Sequence, residues 1–147
     1  MAPETTTETA SHETGAVILR VDNVTKKFAG LTALKDVSME IHENEIVGLI
    51  GPNGAGKTTL FNCISGTFPP TEGRVELAGE DIPDLEAHQV AERGLARTFQ
   101  VTRPLEELTV LENVMVGAHI NTRRRSEAEK IAREKLAFVG LGDREDE

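Results

Sequence analysis

The chain has 147 residues, with 16 Lys and Arg against 25 Asp and Glu; its formal net charge of −9 argues against the basic stripe that a nucleic-acid surface needs, and no nucleic-acid partner is expected. Its one cysteine, Cys63, excludes an intramolecular disulfide and any multi-cysteine metal site, and is most simply a small buried hydrophobe. No apolar run approaches a bilayer span and the amino terminus lacks the basic start and apolar stretch of a secretion signal, so the expectation is a cytoplasmic chain with room for one domain of ordinary size.

Residues 1–15 are polar, rich in Thr and Glu and without period, and read as a disordered leader. Order is expected from Ala16: Val17, Leu19 and Val21 alternate with Ile18 and Arg20 as a strand that Asp22 and Asn23 end. Residues 25–30 form a connector placing Phe28 between two lysines and a glycine, and Val37, Met39 and Ile41 alternate as a second half-buried strand before the turn at residues 42–45.

Residues 46–50, Ile-Val-Gly-Leu-Ile, are apolar without alternation, as a strand covered on both faces must be. Next comes Gly51-Pro52-Asn53-Gly54-Ala55-Gly56-Lys57-Thr58-Thr59, which matches G-x-x-x-x-G-K-[S/T], and then the apolar opening of a helix. Glycines in such a turn let consecutive amides point at one anion, and the helix adds its unpaired amides and the positive end of its dipole. Lys57 is placed to bridge β- and γ-phosphate oxygens and the Thr58 hydroxyl to complete a Mg²⁺ shell, so the stretch reads as a nucleoside-triphosphate site.

The helix should stop at Gly66, ahead of Pro69 and Pro70; residues 71–73 read as a turn and residues 74–78 as a strand. Residues 87–93 have helical character closed by Gly94, and residues 95–99 read as a short strand that delivers Gln100. Thr109 with Glu112 predicts a capping box and a helix over residues 110–118; Ser126 with Glu129 predicts a second, opening a helix with Ala128, Ala132, Leu136 and Val139 on one face and Gly140 as its stop. The basic run Arg123-Arg124-Arg125 reads as a solvated turn, and residues 143–147 as a solvated acidic tail.

A phosphate loop by itself leaves kinases, GTPases and transporter ATPases open; the order of the other elements narrows the choice. Strands before the loop, an aromatic upstream and a strand ending in glutamine downstream resemble the nucleotide-binding domain of ABC transporters, over about residues 17–142. Residues 51–59 look like its Walker A, Arg97-Thr98-Phe99-Gln100 like its Q-loop, and Leu108-Thr109-Val110-Leu111-Glu112-Asn113-Val114 like the segment that follows. Residues 61–66, 96–100 and 114–119 are most similar to the ATP-binding subunits of branched-chain amino acid importers.

The resemblance implies an α/β fold of P-loop NTPase type, of which the chain holds the amino-terminal part: an antiparallel β subdomain and the start of the core and of the helical subdomain, over residues 16–142. It implies ATP and Mg²⁺ as ligands. Gly51, Pro52, Asn53, Gly54, Ala55, Gly56, Lys57, Thr58 and Thr59 would hold the phosphates, and Thr58 and Gln100 the metal. Lys57 and Gln100 would act on the γ-phosphate, and Phe28 would stack on the adenine, although a phenylalanine folded into the core is the alternative. It further implies a second ATP-binding subunit as dimer partner, permease subunits facing residues 101–113 through Leu105, Leu108 and Leu111, and a place at the inner face of the cell membrane. Those three leucines could equally be core of a helical subdomain.

Three further parts of the family pattern do not occur in these residues: a Leu-Ser-Gly-Gly-Gln signature, four apolar residues ending in Asp-Glu, and a switch histidine after such a strand. His12, His42, His88 and His119 lie elsewhere. The expectation is an amino-terminal fragment that binds nucleotide without hydrolysing it, with a non-hydrolysing nucleotide-binding interaction module as the alternative of a different class. A phosphoryl-transfer enzyme of another phosphate-loop class is a weaker third, since no acceptor site is visible.

Overall fold

The computed structural model describes residues 15–82, 85–99, 101 and 104–147. It divides into two compact units, Met1–Val90 and Ala91–Glu147.

In the first unit, two long strands, β1 (Val17–Phe28) and β2 (Leu31–His42), form an antiparallel hairpin; β3 (Glu72–Leu77) pairs with the other edge of β1, and the two-residue β4 (Glu80–Asp81) pairs with β3, giving the order β2-β1-β3-β4. Helix α1 (Lys57–Ile64) lies between β2 and β3 in the chain. The buried side chains Leu19, Val21, Val24, Leu34, Leu60, Cys63, Val75 and Ile82 form its core. Each fully buried aliphatic side chain contributes about 1.5–3 kcal/mol.

Both hairpin strands run past the bounds expected from alternation, because bulges interrupt the pattern without ending the ladder. Val21 pairs with Met39 and Val24 with Val37, so β1 holds one extra residue there. Asn23 takes φ 48°, and its amide is satisfied by Ser38 Oγ at 2.9 Å. A compensating bulge lies in β2 at Asp36, φ 50°, where the amide donates to Oγ1 of the buried Thr25 at 3.0 Å. Alternation reads a bulge as a strand end, since the extra residue reverses the facing of everything after it.

The same bulge explains why residues 71–73 are not the expected turn. Gly73 lies within β3 at φ 79°, and a Cβ there would fall 2.3 Å from the Asn23 carbonyl oxygen. Only glycine lets the two strands approach at this point.

Helix α1 ends as the sequence indicates. Gly66, at φ 68°, donates to Cys63 O (3.3 Å) and Thr67 N to Asn62 O (3.0 Å), the paired bonds of a Schellman motif.

The expected strands at residues 46–50 and 95–99 are not formed, and neither stretch has a ladder partner among the described residues. Ile46 is 99% and Ile50 91% exposed. Continuous apolarity specifies a strand only when parallel neighbours cover both faces, and the four paired strands supply none.

Helix α2 (Ala87–Glu92) spans the boundary between the units and precedes Gly94 at φ 93°. The second unit is built on α3 (Val110–Ala118) and α4 (Arg125–Phe138), with Met115, Ala118, Ala128 and Ala132 buried together and Leu111, Val114 and Ile131 packed against them. The Thr109 capping box is complete: its hydroxyl accepts from Glu112 N and the Glu112 carboxylate accepts from Thr109 N, both at 3.2 Å. Ser126 does not cap α4. The cap position is Arg124, which makes no side-chain cap bond, and the Thr122 hydroxyl instead donates to Glu127 at 2.6 Å.

Gly140 at φ 74° stops α4, leaving Val139 past its end and exposed. The acidic tail turns back on α3: the carbonyls of Glu147 and Glu145 accept from the amides of Val110 and Leu111, and Arg133 pairs with Glu145 at 3.0 Å.

Candidate functional site: a phosphate loop beside a hairpin tip

Helix α1 emerges directly from the glycine-rich turn. Its first intrahelical bond is Leu60 N to Gly56 O at 2.9 Å, so the amides of Lys57, Thr58 and Thr59 precede any helical acceptor. Gly54 and Gly56, at φ 84° and 86°, flank Ala55, whose amide closes a turn on Pro52 O at 3.2 Å. Left-handed residues set into such a turn direct neighbouring amides to a common side. The Lys57 ammonium folds back over the loop and donates to the carbonyls of Gly51 (2.5 Å) and Pro52 (2.8 Å).

A cation, several unpaired amides and the positive end of a helix dipole therefore meet at one exposed place, with no acid in the first turn of α1. The arrangement suits a polyphosphate.

The loop is anchored through Gly56. A Cβ at that position would fall 2.5 Å from Ala33 O and 2.8 Å from Leu34 Cδ2, so the last glycine of the loop lies directly on β2. Leu34 pairs with Lys26, and Leu31 with Phe28, which places the tip of the β1–β2 hairpin beside the loop. At that tip Phe28 is 42% exposed. Its ring meets Phe68 edge to face, with centroids 5.4 Å apart and planes at 88°, and the Lys26 ammonium lies over both rings. Phe68 carries no local signal of this role, because 40 residues separate it from Phe28 in the chain.

The Thr58 side chain is exposed on the first turn of α1, which leaves its hydroxyl open to a cation held by phosphates. This oxygen fits a hard cation such as Mg²⁺, and the amides and ammonium fit the phosphates of ATP. Gln100 lies outside the described residues.

In the second unit Leu105 is exposed, while Leu111 packs against the α3–α4 cluster. The Asn113 side chain accepts from Leu105 N and donates to the carbonyls of Leu105, Leu108 and Thr109, at 2.8–3.1 Å. Nothing in the spacing of the sequence marks Asn113 as the residue that shapes this loop. Cys63, on the buried face of α1, has its thiol pushed up by burial, against a smaller opposing effect of the Lys26 charge. Its environment is that of a structural side chain, not of a nucleophile.

Comparison with known proteins shows what these parts resemble. Residues 34–147 match the family model described as ABC transporter. The chain is 46% identical over 102 residues to the high-affinity branched-chain amino acid transport ATP-binding protein BraF of Pseudomonas aeruginosa, a match covering 69% of this chain and 40% of that protein. It is 45% identical over 102 residues to the corresponding LivG protein of Escherichia coli K12, with the same coverage. The chain thus spans about 40% of the length of the curated relatives it matches. Among solved structures, it superposes on the ADP conformation of MJ1267, an ATP-binding cassette of an ABC transporter, with a TM-score of 0.74 and 33% identity over 89% of this chain and 57% of that one. The post-hydrolysis dimer of the cassette MJ0796 bound to ADP and Pi gives 0.74 and 32%, over 88% and 60%.

Proposed function

The chain belongs to the ABC transporter family, and from that premise we propose that it is the ATP-binding part of an importer subunit coupling ATP binding and hydrolysis to the passage of branched-chain amino acids through separate permease subunits. The observation that carries the nucleotide assignment is the loop: two glycines in left-handed conformation, the unpaired amides opening α1, and Lys57 drawn over them.

In this reading the loop amides and Lys57 hold the phosphates, and Lys57 exchanges its two carbonyl acceptors for phosphate oxygens. Phe28 offers its exposed ring to the adenine. Thr58 and Gln100 are the residues assigned to Mg²⁺, which supplies charge neutralisation of the phosphates when bound. The branched-chain substrate class comes from the names of the relatives, and the dimer from the MJ0796 cassette, which was solved as one. Leu105 gives residues 101–113 an exposed apolar contact for a permease at the cytoplasmic face of the membrane. Among the described residues no helix is long and apolar enough to cross a membrane.

The loop amides, Lys57 and Thr58 account for nucleotide binding, which is the part of the cycle that these residues supply. The purified protein should show a thermal shift with Mg-ATP, and its absence in a folded chain would overturn the nucleotide assignment. In cells that carry the gene, Lys57→Ala at the locus should lower uptake of labelled leucine, isoleucine and valine. Unchanged uptake alongside intact nucleotide binding would favour the non-hydrolysing interaction module.

A further inference from the structure

We propose that Lys26 and Phe68 are positioning residues for a nucleobase, fixing the ring of Phe28 so that one of its faces is presented to a planar purine. The inference rests on the nucleotide reading of the phosphate loop and goes beyond it by naming what holds the stacking ring in place.

The chain has only five aromatic side chains, all phenylalanine, and two of them meet at the hairpin tip. Phe28, at the end of β1 and 42% exposed, has two rotatable side-chain torsions that burial alone does not fix. Two contacts restrict it directly, and a third ties those two partners to each other. Phe68 meets it perpendicularly, the Lys26 ammonium lies 5.2 Å from its centroid, and the same ammonium lies 4.6 Å from the centroid of Phe68.

Lys26 is itself tethered, donating to Pro69 O at 2.6 Å. The segment carrying Phe68 is held to β1 by further bonds, from Thr71 N to Thr25 O (2.8 Å) and from Lys27 N to Thr71 Oγ1 (3.0 Å). An ammonium over one face of Phe28 leaves the opposite face for a ligand. It also draws ring electron density toward itself, which favours stacking of an electron-rich purine. A pre-oriented ring also avoids part of the ordering cost of stacking on binding.

The test separates the base from the phosphates. Mg-ATP and Mg-tripolyphosphate, which lacks a base, are titrated into the 147-residue chain and into Phe28→Leu, Phe68→Leu, Lys26→Met, Lys26→Arg and the double variant Phe28→Leu/Lys26→Met. Circular dichroism and nucleotide-free unfolding verify that each variant is folded. Phe68→Leu and Lys26→Met should each weaken ATP binding about three- to tenfold, the size of an edge-to-face or cation–π contact, and leave tripolyphosphate binding unchanged. Lys26→Arg, which keeps the charge and can still lie on both rings, should restore ATP affinity. The double variant should be no weaker than Phe28→Leu, because Lys26 acts through that ring.

Equal weakening for tripolyphosphate would show Lys26 acting by its charge or on the fold and would overturn the proposal, as would unchanged ATP affinity in both single variants. A folded wild-type chain that binds neither ligand would overturn the nucleotide site itself.

Discussion

Gly56 is the position where the loop can be broken by a single methyl group, and the structure separates two reasons for it. Gly56→Ala places a side chain at φ 86°, which costs about 1–2 kcal/mol for an L-residue. It also puts a Cβ 2.5 Å from Ala33 O and 2.8 Å from Leu34 Cδ2. The carbonyl belongs to a strand paired with β1 and cannot withdraw, so overpacking adds about 1–3 kcal/mol. The total, about 2–5 kcal/mol, is a large part of the stability of a typical domain. Gly54 is the control: its φ is 84°, but a Cβ there meets nothing within 4 Å. Gly54→Ala should cost only the conformational term. Urea unfolding without nucleotide should therefore rank wild type above Gly54→Ala above Gly56→Ala, with a gap of about 1–3 kcal/mol between the variants. Equal losses in the two, or a neutral Gly56→Ala, would refute the packing of the loop on β2.

Two further perturbations probe the other elements. Thr109→Ala should lower stability by about 0.5–2 kcal/mol because it breaks the capping box of α3, whereas Ser126→Ala should stay within about 0.5 kcal/mol since Ser126 caps nothing; thermal unfolding of the pair checks both. Cys63, buried and with its thiol pushed up by that burial, should react with a maleimide at neutral pH far more slowly than a free thiol and at full rate in denaturant; fast labelling of the native chain would contradict its placement under α1.

What could be read from the sequence was whatever depends on near neighbours in the chain. The phosphate loop, the Gly66 and Gly140 stops and the Thr109 box involve residues no more than about a turn apart, and their chemistry is written in consecutive letters. Ser126 had the same letters as Thr109 but lost the role when Thr122 took Glu127 and the helix opened at Arg124.

Long-range pairing was less legible. Bulges at Asn23 and Asp36 hid half of each hairpin strand, and Gly73 read as a turn because its true constraint, the Asn23 carbonyl, lies 50 residues away. Residues 46–50 have strand composition without a ladder, which shows that a buried-strand pattern specifies a need for neighbours that only the rest of a sheet can meet. At the candidate site the loop residues were legible, while the Lys26 and Phe68 contacts to Phe28 depend on β1 and the segment after α1 coming together.

The central claim is that the turn at residues 51–59 is shaped to hold a polyphosphate, with Lys57 as its cation. Equilibrium titration of Mg-ATP into the wild-type chain and Lys57→Ala tests it most directly. The account predicts saturable binding by the wild type, raising its stability by about 2.7 kcal/mol at a hundredfold excess over the dissociation constant, and loss of both effects in a folded Lys57→Ala chain. A folded wild type that shows neither heat of binding nor stabilisation, or a Lys57→Ala chain that binds as tightly, would contradict it.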